Sequence, residues 1–243
     1  MSSVLLLKLT GPLQAWGSSA RFARRTTENA PTKSGVLGLL GSALGLARDD
    51  RAGLARLGAL RFGVRVDQPG VRIRDFQTAH HQVTGEAQPV SERFYIADAA
   101  FLAAVEGPHG LLAELQTALR SPAFLPYLGR RSCPPSERVD LNEGLEEDTS
   151  LEEVLGSAPW QASKWFQLSH RNESEARLTM LIETQDIPEA GADTLRDQPL
   201  SFDPRHRRYG LRAVAEHTVT VPNPYAVAHD TAAHDPVGAL EPV

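Results

Sequence analysis

The sequence predicts an α+β fold whose elements run β-α-β-β-α-β, and three observations predict it. A short apolar run opens the chain at 4–9. Two helical patterns follow, one beginning near 31–34 and ending near 48, the other at 108–120. Around them lie segments with strand character at 60–67, 71–78, 94–105 and, as a strand or a tight loop, 126–133. Two helices set among strands in this order make the ferredoxin-like unit.

Each element has a local reason. Residues 4–9 are continuously apolar, which suits a strand covered on both faces. The stretch 11–31 is rich in Gly, Arg, Ser and Thr and is long for a connection, a feature more common in functional loops. Thr32 or Ser34 can cap the first helix. Inside it Gly35, Gly38, Gly41 and Gly45 recur on one flank. Each costs roughly 0.5–1 kcal/mol relative to Ala. Two explanations fit: tight packing on the sheet, or close approach of a ligand backbone. Asp49-Asp50 ends the helix and a short turn runs to Leu57. Gln68-Pro69-Gly70 reads as a turn between two strands. Residues 80–92 are polar without a core pattern, so the strands flanking them are expected to project as an extended hairpin. Farther on, 150–156 reads as a short helix, and 177–183 and 209–221 as strands. The expected organisation is a ferredoxin-like domain over 1–135, a smaller, mostly β region over 136–222, and a disordered tail over 223–243, which is Ala-, Pro- and His-rich without period.

A chain of 243 residues can bury a sizeable core without staples. Its single cysteine, Cys133, excludes an intrachain disulfide and a thiolate zinc cluster and favours a cytoplasmic setting. No stretch is long and apolar enough to span a bilayer, and the first eight residues lack the marks of a signal peptide. The net charge of −5 conceals segregation. Residues 1–75 carry twelve Lys or Arg against five Asp or Glu, and residues 136–203 carry five against sixteen. A basic third and an acidic third suggest one surface for a polyanion and another for something else.

Enzyme signatures fail one by one. Lys33-Ser34 follows Ala30-Pro31-Thr32, which cannot form a P-loop cradle. No zinc-protease spacing and no nucleophile elbow occurs. His80 and His81 are adjacent, which on a strand sends them to opposite faces. The sequence pattern of the RRM family, which stacks bases on an open sheet, is also absent, so RNA would have to be held by loops. Three qualify. The first holds Gln14, Trp16 and Gly17 with Arg21, Arg24 and Arg25; Trp16 is either a stacking face or a core anchor. The second is the helix start Thr32-Lys33-Ser34-Gly35, whose amides and dipole favour an anion. The third is Gly129-Arg130-Arg131-Ser132, where paired arginines suit a phosphate or base clamp.

At these residues the chain resembles the CasD family, the RAMP-type subunit that caps one end of the type I-E Cascade complex. The matching stretches include Leu9-Thr10-Gly11-Pro12-Leu13-Gln14-Ala15-Trp16-Gly17, Pro31-Thr32-Lys33-Ser34-Gly35-Val36-Leu37-Gly38, Arg48-Asp49-Asp50, Arg93-Phe94-Tyr95-Ile96-Ala97-Asp98 and Tyr127-Leu128-Gly129-Arg130-Arg131-Ser132-Cys133-Pro134. The resemblance implies a ferredoxin-like RAMP domain with a β-hairpin thumb at about 77–93. It implies binding of the crRNA 5′ handle without cleavage, with Arg93 and Tyr95 added to the RNA-binding set. It implies no cofactor. The implied partners are a CasC-type backbone subunit, a CasA-type large subunit and, through the complex, target DNA, with no membrane. A related branch cleaves repeat RNA, and that alternative would enlist His80 or His81, Tyr95 and Lys33.

Overall fold

The structure is a computed structural model that describes residues 2–17, 24–141, 145–184 and 193–227; Arg21 and the tail beyond 227 lie outside the described residues. In chain order the elements are β1 (Ser2–Thr10), β2 (Leu13–Gln14), β3 (Arg24–Arg25), α1 (Lys33–Leu44), α2 (Arg51–Gly58), β4 (Arg61–Gln68), β5 (Val71–Gln77), β6 (Ser91–Ala97), β7 (Ala100–Pro108) and α3 (His109–Arg120). They continue as β8 (Glu146–Glu147), α4 (Leu151–Ser157), α5 (Lys164–Ser169), β9 (Glu175–Thr184), β10 (Asp193–Ser201) and β11 (Arg208–Pro222). Seven strands form one sheet in the order β10-β11-β9-β4-β7-β1-β8, and β2, β6 and β3 form a small second sheet that β5 joins by pairing with β6.

The β1 run is apolar throughout because both of its faces are covered. Leu5, Leu7 and Leu9 enter one core with Phe101, Ala103 and Val105 of β7 and with residues of α1 and α3. Val4 and Leu6 enter a second core on the opposite face, with Leu102, Ala104 and the α4 residues Leu151, Val154 and Leu155. Each fully buried leucine contributes about 1.5–3 kcal/mol. The part β8-β1-β7-β4 is the ferredoxin-like order, with β1 paired to β7 along its whole length. Beyond it β9 hydrogen-bonds along β4, so the C-terminal strands extend the same sheet.

Several expectations are corrected. The first helix stops at Leu44 rather than near Arg48, because Gly45 takes the left-handed conformation (φ 78°) and its N–H closes the last turn. Residues 51–58 form α2 rather than a turn, and Asp50 caps it by accepting from the Gly53 N–H at 2.9 Å. The segment 94–105 is two strands in two sheets, split at Asp98 (φ 58°). Of the two readings open for 126–133, strand or tight loop, the tight loop holds, closed by hydrogen bonds from Leu128 N–H to Cys133 O and from Cys133 N–H to Arg130 O. The place beside β1 that a fourth strand would take holds only β8 and an isolated bridge between Leu7 and Asp140. Helix α5 and strand β10 had no forecast.

At Gly70 (φ 69°) the chain leaves the large sheet, and at Asp98 it returns. Between these points β5 and β6 pair from Val71–Ala97 to Gln77–Ser91, and a bridge from His80 to Ala87 carries the hairpin to its tip. Every residue of β5 is exposed.

Candidate functional site: a basic cleft beside the first helix

Two of the three loops named above converge, and the first helix supplies the floor between them. Trp16 fixes the first loop. It is fully buried, its indole N–H donates to Gln14 Oε1 at 3.0 Å, and its backbone N–H donates to Thr27 Oγ1 at 2.8 Å. Gln14, also fully buried, donates in turn to the carbonyls of Leu9 and Ala99, both at 2.9 Å. Burial decides between the two roles open to Trp16: it is a core anchor and offers no stacking face. The same holds for Gln14. Gly35 lets the indole lie against α1, since a Cβ there would stand 2.8 Å from Trp16 Cε3.

Gly129 locks the third loop onto the first. Ala15 N–H donates to Leu128 O at 3.1 Å, and any Cβ on Gly129 would overlap Ala15 O. Its φ of 84° also suits glycine. Arg130 then reaches across: its Nη2 donates to Arg25 O at 2.9 Å, and its guanidinium lies 4.6 Å from the centre of the Tyr95 ring. Arg130 Nη1 and Arg93 Nε are buried and have no hydrogen-bond partner among the described residues. Burial would raise the Tyr95 phenol, but hydrogen bonds with Ser132 and Arg130 outweigh it and hold the phenol below its ordinary value. Arg131 and Ser132 are exposed beside Arg130.

Strand alternation sorts the remaining residues. β3 runs parallel to β6 with Arg24 opposite Glu92 and Arg25 opposite Arg93. Successive side chains point to opposite faces, so Arg25, Arg93 and Tyr95 share one face. Arg24 takes the other, 5.3 Å from the Phe94 ring and 3.9 Å from Glu92. Arg24 therefore does not join the group around Arg130.

These pieces border a cleft of about 1170 Å³. Gly17, Arg25, Arg130 and Arg131 form one wall. The floor is the α1 flank of Ser34, Gly35, Gly38, Gly41 and Ser42. A Cβ on Gly38 would find nothing nearer than 3.8 Å, so packing does not account for that glycine. Arg48 and Arg207 border the cleft as well. Five arginines thus line it against one carboxylate, Asp50, which is already occupied as the α2 cap. Sequence reasoning missed two of them as ligands. Arg207 lies in the basic run Arg205-His206-Arg207-Arg208, and that run was its available signal.

The helix-start loop behaves differently. Lys33 is 1% exposed, and its Nζ contacts both carboxylate oxygens of Glu183 at 2.9 Å, on the β9 side of the molecule. Its backbone N–H donates to Asp197 at 2.7 Å, and Asp197 is bound by Arg212 at 2.8 and 2.9 Å. Burial pushes the Lys33 ammonium below its ordinary value, against the opposing pull of Glu183. Thr32 uses its hydroxyl as the N-cap, accepting from Gly35 N–H at 3.3 Å. The expected anion site at this helix start is therefore filled by a carboxylate of the protein itself, and Lys33 is a clamp between α1 and the large sheet.

His80 and His81 sit at the exposed hairpin tip, where both bond within the turn: His80 Nδ1 to Gly85 O, and His81 Nδ1 to the N–H of Thr84. They share no contact with Tyr95 or Lys33. Among the described residues no cluster of three or more His, Cys, Asp or Glu is placed to hold a metal ion. No described helix is long and apolar enough to cross a membrane.

Comparison with known proteins identifies the family. Residues 4–215 match the family model described as CRISPR-associated protein (Cas_Cas5). The chain is 38% identical over 152 residues to the CRISPR system Cascade subunit CasD of Escherichia coli (strain K12), covering 55% of this chain and 68% of that protein. Among solved structures it resembles one described as a Cas protein, with TM-score 0.68 and 37% identity over 92% of this chain and 97% of the other. A chain of a CRISPR RNA-guided surveillance complex matches with TM-score 0.72 and 31% identity over 93% of each chain. With a family model spanning most of its length and these relatives beside it, the chain belongs to the Cas5 family of CRISPR-associated proteins.

Proposed function

We propose that this chain is a non-catalytic subunit of a Cascade-type surveillance complex that grips the 5′ handle of the crRNA. The observation that carries the reading is the cleft: five arginines against one occupied carboxylate, over a helix flank that lies open at Gly38. Guanidinium groups hold phosphates through paired N–H donors. Arg25, Arg130 and Arg131 are the residues for this, with Arg48 and Arg207 farther along the cleft. Gly38, where a Cβ would meet nothing nearer than 3.8 Å, lets a sugar-phosphate backbone approach α1, whereas Gly41 is buried against Leu57 and Leu46. Gln14, Trp16 and Lys33 support these groups from behind. The exposed β5 edge, with Val71 and Phe76 more than half exposed, suits a neighbouring protein subunit, the CasC-type backbone or the CasA-type large subunit. Target DNA then meets this chain only through the complex, and the setting is the cytoplasm.

The endonuclease alternative fits less well, since a base and a cation must meet at one ribose, and His80, His81, Tyr95 and Lys33 do not meet.

The test is Arg130→Ala combined with Arg131→Ala, measured by binding of single-stranded repeat RNA over a salt series. Removing an arginine that reads a base should cost about 1–3 kcal/mol. Removing one that holds only a phosphate should flatten the salt slope by about 0.7. Unchanged affinity and slope would remove these residues from the site. Specific cleavage of the same RNA, abolished by His80→Ala, would establish the alternative instead.

A further inference from the structure

Of the aromatic side chains that border the cleft, Trp16 is buried, Tyr127, Phe202 and Tyr209 are half-buried, and Phe124 is exposed, at 61%. Its neighbour Leu125 is exposed as well and borders the same space. The segment that carries them is fixed. Ala123 N–H donates to Ala43 O at 2.9 Å, using a carbonyl that the end of α1 leaves free. Ala123 also crosses so near Gly45 that a Cβ on that glycine would stand 3.0 Å from the alanine's own. Pro122 and Pro126 restrict the backbone on either side. Among the described residues the Phe124 ring meets no other ring and no cation. Tyr95, Phe94 and Phe76, by contrast, each carry an arginine. A bare aromatic face is thus held at the C-terminal end of α1. Arg48, three residues beyond Gly45, is exposed and borders the cleft at that same end.

We propose that Phe124 is a stacking platform for one unpaired base of the strand in the cleft, whose phosphates face Arg48. The inference rests on the RNA-binding reading above and adds a base-holding residue to it. Every nucleobase has a flat π-face, so such a platform serves any sequence. A ring on a pinned segment loses little freedom when a ligand binds. The charges around it favour a nucleotide over an apolar protein segment. A protein segment covering Phe124 and Leu125 would also bury neighbouring guanidinium groups and leave them unpaired. A nucleotide supplies both complements at once, a base for the ring and a phosphate for the arginine.

The test uses the single-stranded repeat RNA chosen for the arginine variants, bound to the full chain over a salt series. Phe124→Ala should weaken binding about tenfold, within the range for losing one base–aromatic stack. The salt slope should not change, because no phosphate contact is lost. Phe124→Leu should lose about as much, since leucine keeps apolar area without a π-face. Phe124→Trp should bind at least as tightly as wild type. Tm should stay at the wild-type value in all three, because the ring is mostly exposed and the bond from Ala123 to Ala43 is made by backbone. Wild-type affinity in Phe124→Ala or Phe124→Leu would overturn the platform, and the cleft reading would stand if the arginine variants still bind weakly. A Phe124→Ala chain that binds RNA normally but fails to join the assembled complex would also overturn it and make Phe124 a protein contact. Failure of the RNA to bind the wild-type chain would overturn both readings.

Discussion

Lys33→Met separates a structural clamp from an RNA ligand. Methionine keeps most of the apolar stem and deletes the ammonium. The wild-type pair is buried, at 2% and 20% side-chain exposure, so Glu183 is left as a largely buried charge. Removing one partner of a buried pair costs about 3–5 kcal/mol. Glu183 keeps a hydrogen bond from the Phe62 N–H at 3.1 Å and some contact with solvent, which favours the low end, about 3 kcal/mol. For a domain of this size each kcal/mol moves Tm by roughly 2–4 °C, so the variant should melt roughly 6–12 °C lower. RNA affinity, measured by fluorescence polarisation well below the melting range, should stay near wild type, because Nζ faces β9 and not the cleft. An unchanged Tm with much weaker RNA binding would refute the reasoning and return Lys33 to the RNA surface.

Two further outcomes follow from the geometry. Gly129→Ala should weaken RNA binding and lower Tm together, because a left-handed residue costs roughly 1–2 kcal/mol without glycine and the new Cβ strikes Ala15 O; unaltered binding would show that the loop need not sit where it does. Asp140 gives a pH signature. Burial alone would raise its carboxyl, but hydrogen bonds from Arg138 and Arg120 outweigh burial and hold it below 3.8. The folded state then binds fewer protons than the unfolded chain, so its contribution is present above pH 3.8 and is lost as pH falls through the folded value. Both arginines are exposed by more than a third, so screening leaves it on the order of 1 kcal/mol. The Tm gap between wild type and Asp140→Asn should narrow below pH 3.8, and a gap independent of pH would contradict the assignment.

Much of the fold was legible because periodicity reports burial directly. Residues 4–9 and 108–120 carry their patterns openly, and Thr32 and Ser150 cap the helices they precede. What escaped depends on partners distant in sequence. β10 buries Asp197, Pro199 and Ser201 and leaves Leu200 exposed, so its sequence shows no hydrophobic alternation; its buried aspartate is stable only because Arg212 and the Lys33 N–H meet it. The split at Asp98 depends on one backbone angle, invisible in a run of strand-forming residues. At the site, the convergence of 15–17 with 129–132 follows from glycines and arginines whose types and spacing already stand out in the sequence. The role of Lys33 did not stand out, because an exposed lysine at a helix start and a buried one read alike until Glu183 is placed beside it.

The central claim is tested most directly by ultraviolet crosslinking of RNA to the assembled complex, with peptides identified by mass spectrometry. Crosslinks in this chain are expected within 15–17, 25–26, 42–48 and 129–132, around the arginine-lined cleft. Crosslinks confined to the hairpin tip or to α4, with none in the cleft, would contradict the account.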